Sequence, residues 1–218
     1  MIKESYTEKF YSYHSKYISN ALALRPSQHD SLEIFARLCD TLSLQKNPTT
    51  LEQVEQEHKS ELDTCDTDAK REKLLHKLAS DAAEDFYRDD LAAVKVLCPT
   101  LTLFERDFPS VCFALATGIG KTRLMGACIA YLHYEKGIKN IFIMAPNLTI
   151  YNKLKADLGN TGNPKYVFRG LDRFVNPPRI IDGDNYADFR QGTFGVNDVV
   201  INIFNISKAE FGQQGDWW

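Results

Sequence analysis

The sequence predicts an α/β fold: a parallel sheet with helices on both faces, preceded by an α-helical region that carries a helical insertion. Three observations predict it. Leu115-Ala116-Thr117-Gly118-Ile119-Gly120-Lys121-Thr122 is a glycine-rich stretch set between a short apolar run, Val111-Cys112-Phe113-Ala114, and a helical pattern from Arg123 to Leu132. Two further apolar runs, at residues 140–145 and 198–204, read as strands, the first of them buried. Helical spacing of apolar residues dominates everything before Cys98-Pro99. Strands that alternate with helices, with the glycine loop at a strand's C-terminal end, indicate a parallel three-layer arrangement.

A strand, a glycine loop ending in Gly-Lys-Thr and then a helix is the context of a phosphate-binding loop. Gly118 and Gly120 let the backbone of Thr117-Gly118-Ile119-Gly120 curl so that successive N–H groups point inward at phosphates. The N-terminus of the following helix adds its partial positive charge at the same place. Lys121 would reach the β- and γ-phosphates of a nucleoside triphosphate, and the Thr122 hydroxyl would ligate Mg²⁺. The strict pattern carries glycine at position 115, where this chain has Leu115. The bland alternative is a glycine-rich turn with a surface lysine.

Composition sets the frame. Of 218 residues, 44% are hydrophobic and 25% charged, the usage of an ordinary globular protein of one domain or somewhat more. A net charge of -3 gives no global basic field to attract nucleic acid. The charge is uneven, however: residues 51–90 hold 13 acidic and 6 basic side chains, a net of -7, and the remainder is at +4. Neither a signal-peptide run nor a membrane-length apolar run occurs. The five cysteines are scattered, without metal or redox spacing, and read as reduced core thiols of a cytoplasmic protein.

In chain order, Tyr6, Phe10, Tyr13 and Tyr17 fall at helical spacing and predict an aromatic stripe packed on the core. Pro26 closes that element, and Ser27 with Asp30 reads as the N-cap of a helix bearing Leu32, Phe35, Leu38 and Leu42 on one face. By itself Gln28 reads as a solvated polar residue of the first turn. Asn47-Pro48 opens a new segment with Leu51, Val54, His58 and Leu62 spaced helically, then a polar break at residues 63–68. One long helix runs on to Leu97, with Leu74, Leu75, Leu78, Phe86, Leu91 and Val94 inward. This acidic pair, residues 47–99, reads as an insertion whose charge is a solvated face. Beyond the loop come the strand at 140–145, a short helix over 150–158 closed at Gly159, and a third strand at 165–170. Residues 173–197 are irregular with at most a short strand at Arg179-Ile180-Ile181, and the last strand is 198–204.

With these stretches in view, the chain resembles the N-terminal part of a superfamily-two helicase, closest to the Res subunit of type III restriction-modification systems. Leu24-Arg25-Pro26-Ser27-Gln28 resembles the family's Q-type motif, residues 116–122 its motif I, Ala145-Pro146-Asn147-Leu148-Thr149 its motif Ia, and Ile203-Phe204-Asn205-Ile206-Ser207-Lys208 a later strand-end motif. The resemblance covers roughly residues 20–208. It implies an ATP-binding RecA-like domain that uses Mg²⁺, with Arg25 and Gln28 at the nucleotide and Gln28 reading the adenine edge. It implies DNA contacts through Pro146, Asn147, Thr149, Ser207 and Lys208, and a modification or specificity subunit as partner. Leu115 belongs to a loop variant used by helicases.

Such enzymes also place an Asp-Glu pair after a buried strand, for Mg²⁺ and for the attacking water. No Asp-Glu dipeptide occurs in this sequence, and the nearest substitute is Ile180-Ile181-Asp182. The chain therefore reads as a truncated RecA-like domain that binds nucleotide without turning it over. Two alternatives stay open: a small P-loop kinase, and a non-enzymatic remnant or interaction module working through the acidic helices.

Overall fold

The computed structural model describes residues 11–42, 44, 50–104, 109–183, 185 and 199–206. The chain divides into two units, Met1–Ala36 with Leu115–Trp218, and Arg37–Ala114.

In the unit Arg37–Ala114, Thr50 begins α3 (Leu51–Glu57) with a reciprocal cap: its side chain accepts from Gln53 N, and the Gln53 side chain accepts from Thr50 N. A short α4 (Lys59–Leu62) follows, and Thr67 caps α5 (Asp68–Phe86). The single long helix expected up to Leu97 is instead two, because Tyr87 leaves helical geometry and α6 (Arg88–Leu97) restarts behind it. Val54, Leu62, Ala83, Tyr87 and Val94 are buried here. Arg71 ties α5 to α3 through Glu55 at 2.8 Å.

The other unit opens with α1 (Tyr13–Ala21), where Ser12 and Ser15 cap each other at 3.1 Å. Its aromatic face is not core. Tyr13 is 77% exposed while Ile18 is fully buried, and Tyr17 reaches Asp172 at 3.2 Å; Tyr6 and Phe10 lie outside the described residues. The helix α2 (Pro26–Thr41) begins at the proline itself, whose missing N–H and fixed φ suit a first helical position. Ser27 is therefore inside the first turn, not the cap, and Gln28 reaches back to Arg25 N in its place.

The helix α7 (Lys121–Lys136) follows the glycine loop and stops at Gly137, which takes the left-handed conformation at φ 65°. It buries Leu124, Ala127, Ile129, Ala130 and Tyr131. Then come β1 (Asn140–Ala145), α8 (Leu148–Gly159), β2 (Arg179–Ile181) and β3 (Val200–Asn205). The sheet is parallel in the order β1-β3-β2, with Asn140 opposite Val200 and Arg179 opposite the same residue from the other side. Ile143, Ala145, Ile201 and Ile203 are buried at alternate positions, and α8 packs on the sheet. The strand β1 is thus not buried on both faces. Phe142 is 62% and Met144 46% exposed, and Phe142 stacks on Phe204 at 5.4 Å.

Two predicted strands are absent. Residues 111–114 carry no strand and pair with nothing in the described sheet; Val111 and Cys112 are exposed, so Cys112 is no core thiol. Residues 165–170 are turns. Asn160 and Asn163 accept from the N–H groups two residues on (2.9 Å each), and Gly170 sits at φ 94°, so the backbone is committed to turning. Tyr166, Val167 and Phe168 are nonetheless buried, with Val167 seated over Gly126 of α7.

Candidate functional site

The loop ahead of α7 has the backbone that its glycines permit. Gly118 is at φ 81° and Gly120 at φ 93°, a region L side chains avoid. Among the described residues no backbone carbonyl accepts from the N–H groups of Gly118, Ile119, Gly120, Lys121 or Thr122. A Cβ built on Gly118 would meet nothing within 4 Å, so the space beside it is open. Lys121 and Thr122 are the first two residues of a 16-residue helix whose N-cap, Gly120, offers no side chain to the first-turn donors. Unpartnered N–H groups and the positive end of the helix dipole thus meet at the head of α7, whose first residue is Lys121. An anion with several oxygens fits it.

The N-terminal corner of α2 stands against this loop. Gln28 is buried to 1% exposure, which overturns the solvated reading of this residue. Its Nε2 donates to Gly120 O at 2.8 Å, and its Oε1 accepts from Arg25 N at 2.8 Å. Arg25 is exposed and donates from Nη1 to Gly118 O at 3.3 Å. Arg123, not singled out in the sequence, donates from Nη1 to Leu22 O at 3.3 Å and ties α7 to the chain just before the corner. No spacing rule points to that contact, because its partners are 101 residues apart.

The sheet brings a second group of predicted residues together. Ala145 lies opposite Asn205, and Ile206 N donates to Ala145 O at 3.0 Å, so the segments leaving β1 and β3 emerge side by side. Pro146, Asn147 and Thr149 are exposed there, and Asn147 caps α8 by accepting from Ile150 N at 2.9 Å. Ser207 and Lys208 lie outside the described residues. Asp182 does not present a free carboxylate. It is buried at the end of β2, paired with Lys155 and accepting from Asn185 N at 3.1 Å.

A shallow cavity of about 350 Å³ lies between Thr161, Tyr166, Arg169, Leu171 and Val175 and contains none of the predicted site residues. Beside it the Tyr134 hydroxyl, raised by burial and by Asp172, donates to the Asp172 carboxylate and holds that carboxyl below its usual range.

The parallel sheet, the glycine loop and the helix that follows it define a RecA-like α/β domain. The family described as Type III restriction enzyme, res subunit, matches residues 23–210, and the chain belongs to it. Comparison with curated proteins and with solved structures returned no match. Among the described residues no helix is long and apolar enough to cross a membrane.

Proposed function

We propose that this chain is the ATP-binding part of a DNA helicase or translocase subunit of a restriction system, acting in the cytoplasm beside a modification or specificity subunit. The observation that carries the reading is the run of unpartnered N–H groups from Gly118 to Thr122 at the head of α7. Thr117, Gly118, Ile119 and Gly120 would cradle the phosphates through the backbone, with Arg25 and Gln28 behind the loop. Lys121 would neutralise the β/γ-phosphate charge and Thr122 would give its hydroxyl to Mg²⁺. Hydrolysis of bound ATP would drive movement along DNA.

The exposed segment after β1, with Pro146, Asn147 and Thr149, and the neighbouring segment after β3, with Ser207 and Lys208, would meet the DNA backbone; backbone contacts of this kind position a protein without reading sequence. The acidic helices of residues 47–99 are proposed as an insertion ahead of the nucleotide-binding part.

The test is titration of a fluorescent, Mg²⁺-loaded ATP analogue against the wild type and Lys121→Ala. Binding that weakens by about tenfold or more on substitution is expected, the effect of removing one charged hydrogen bond to a phosphate. Equal binding by both proteins would refute the loop as the site.

A further inference from the structure

We infer that the turns after α8 form a docking site for an acidic protein segment. One bulky apolar side chain of that segment would enter the cavity bordered by Tyr166, Leu171 and Val175, and its carboxylates would lie against Lys165, Arg169 and Arg173. The inference stands apart from the nucleotide-binding reading above.

The turns hold their shape with bonds of their own. Asn160 and Asn163 each fix one by accepting from the N–H two residues on. Arg169 Nη2 donates to Thr161 O at 3.2 Å and to Asn163 O at 3.0 Å, which clamps the two together. Beneath them Phe168 stacks on Phe174 at 4.3 Å, and the Tyr166 hydroxyl is already given to Phe174 O. Phe168, Leu171 and Phe174 are fully buried and make the lining apolar, whereas Val175 stands exposed beside them. At about 350 Å³ the cavity is at the lower end of ligand-pocket sizes, which suits a side chain.

The rim is cationic. Residues 161–178 hold Lys165, Arg169 and Arg173 against a single acid, Asp172. All three cations are exposed, and none forms an ion pair among the described residues. Asp172 is engaged elsewhere, accepting from the hydroxyls of Tyr17 and Tyr134. Arg169 spends one nitrogen on the two carbonyls and keeps three of its five N–H donors. Arg173 lies with Cζ 4.6 Å from the centre of the Tyr134 ring, and stacking of this kind leaves the guanidinium edge for a carboxylate.

The place in the fold separates this surface from the phosphate loop. Tyr134, which meets Asp172, is thirteen residues beyond Lys121 in α7, about 20 Å along the helix. The chemistry favours protein over nucleic acid. A phosphodiester has no apolar group to fill the cavity, and bases stack on exposed rings, while Tyr166, Phe168 and Phe174 are buried. An acidic segment with one apolar anchor satisfies lining and rim together.

The test is fluorescence anisotropy on the full chain with a dye-labelled decapeptide of aspartates and glutamates around a central leucine. Three companion probes are the same peptide with alanine for leucine, the same peptide with amides for carboxylates, and a thymidine decanucleotide. The variants Lys165→Glu, Arg173→Glu and Val175→Asp alter exposed side chains, and their urea midpoints and binding of the ATP analogue should match the wild type. The leucine peptide should bind the wild type. Alanine in its place should weaken binding about tenfold or more, the loss of one buried apolar side chain. Amides for carboxylates, salt raised to about 0.5 M, and each variant should weaken it about three- to tenfold. No binding of the leucine peptide, or equal binding of the leucine and alanine peptides, would overturn the inference. So would peptide binding that all three variants leave unchanged. Decanucleotide binding that the variants abolish, without peptide binding, would overturn it in favour of nucleic acid. Failure of the ATP analogue to bind would count against the nucleotide reading alone.

Discussion

Replacing Gly120 by alanine separates two costs that usually come together. The first is conformational: at φ 93° an L residue is strained, by about 1–2 kcal/mol. The second is steric and local. A Cβ on Gly120 would lie 2.6 Å from Gln28 Nε2 and 3.7 Å from its Cδ. Gln28 is buried and cannot swing into solvent, so the clash displaces its amide and breaks the bond to Gly120 O, a further loss of about 1 kcal/mol. Gly120→Ala should then cost about 2–3 kcal/mol in all. Gly118→Ala and Gly137→Ala are the controls. Both glycines have positive φ, at 81° and 65°, and a Cβ on either meets nothing within 4 Å, so each should cost only the conformational part. The assay is urea denaturation with the slope checked for constancy, so that midpoint shifts report stability. The decisive arm is a double-mutant cycle: in a Gln28→Ala background the cost of Gly120→Ala should drop to that of Gly118→Ala. Equal costs in both backgrounds would refute the reasoning, since the strain would then be wholly in the backbone and Gln28 would not be pressed on the loop.

Gly159, the last residue of α8, leaves no room for a side chain beside Ile180 of β2. Gly159→Ala should destabilise by about 1–3 kcal/mol despite alanine's better helix propensity, and Ile180→Ala should relieve part of that cost in the double variant, read by denaturant midpoint. Tyr166 donates its hydroxyl to Phe174 O at 3.0 Å, and burial pushes its pKa from 10.0 to about 12. The folded state therefore holds the proton where the unfolded state releases it. Stability from this group is complete below pH 10, declines as the pH rises toward about 12, and should decline less steeply in Tyr166→Phe, followed by tyrosinate absorbance and thermal melting.

What the sequence made legible was whatever depends on near neighbours in the chain. The helix after the loop was readable because Gly120 and Gly137 bracket an apolar-periodic run, and β1 and β3 because six-residue apolar runs are bounded by turn residues. The strand expected at 111–114 shows the limit of that logic. An apolar run states that a segment would be buried if covered, but a strand also needs a neighbour to pair with, and none of the described strands pairs with it. At 165–170 the strand reading was wrong: the segment is a series of turns, although Tyr166, Val167 and Phe168 are buried. Asn160, Asn163 and Gly170 held the turn signal, and the run is packed into the notch that Gly126 leaves in α7. The burial of Gln28 was illegible from local pattern for a different reason, although the family resemblance had singled the residue out. Its environment is made by a carbonyl far along the chain, so no local spacing separates a solvated glutamine from a buried one.

The site is accordingly two layers of information. Local chemistry of Gly118, Gly120, Lys121 and Thr122 specifies a loop able to present N–H groups, and any folded chain with these residues ahead of a helix would have that capacity. Whether the N–H groups face a common point depends on what holds the opposite carbonyls, and here that task falls to an element that the sequence places long before the loop. Arg25 is exposed and charged, so its hold on Gly118 O weakens with salt and competing solvent, whereas the neutral, buried Gln28 contact does not. The two grips therefore differ in kind. The loop should be fixed at its helix end, by Gly120, and adjustable at its glycine turn, by Gly118.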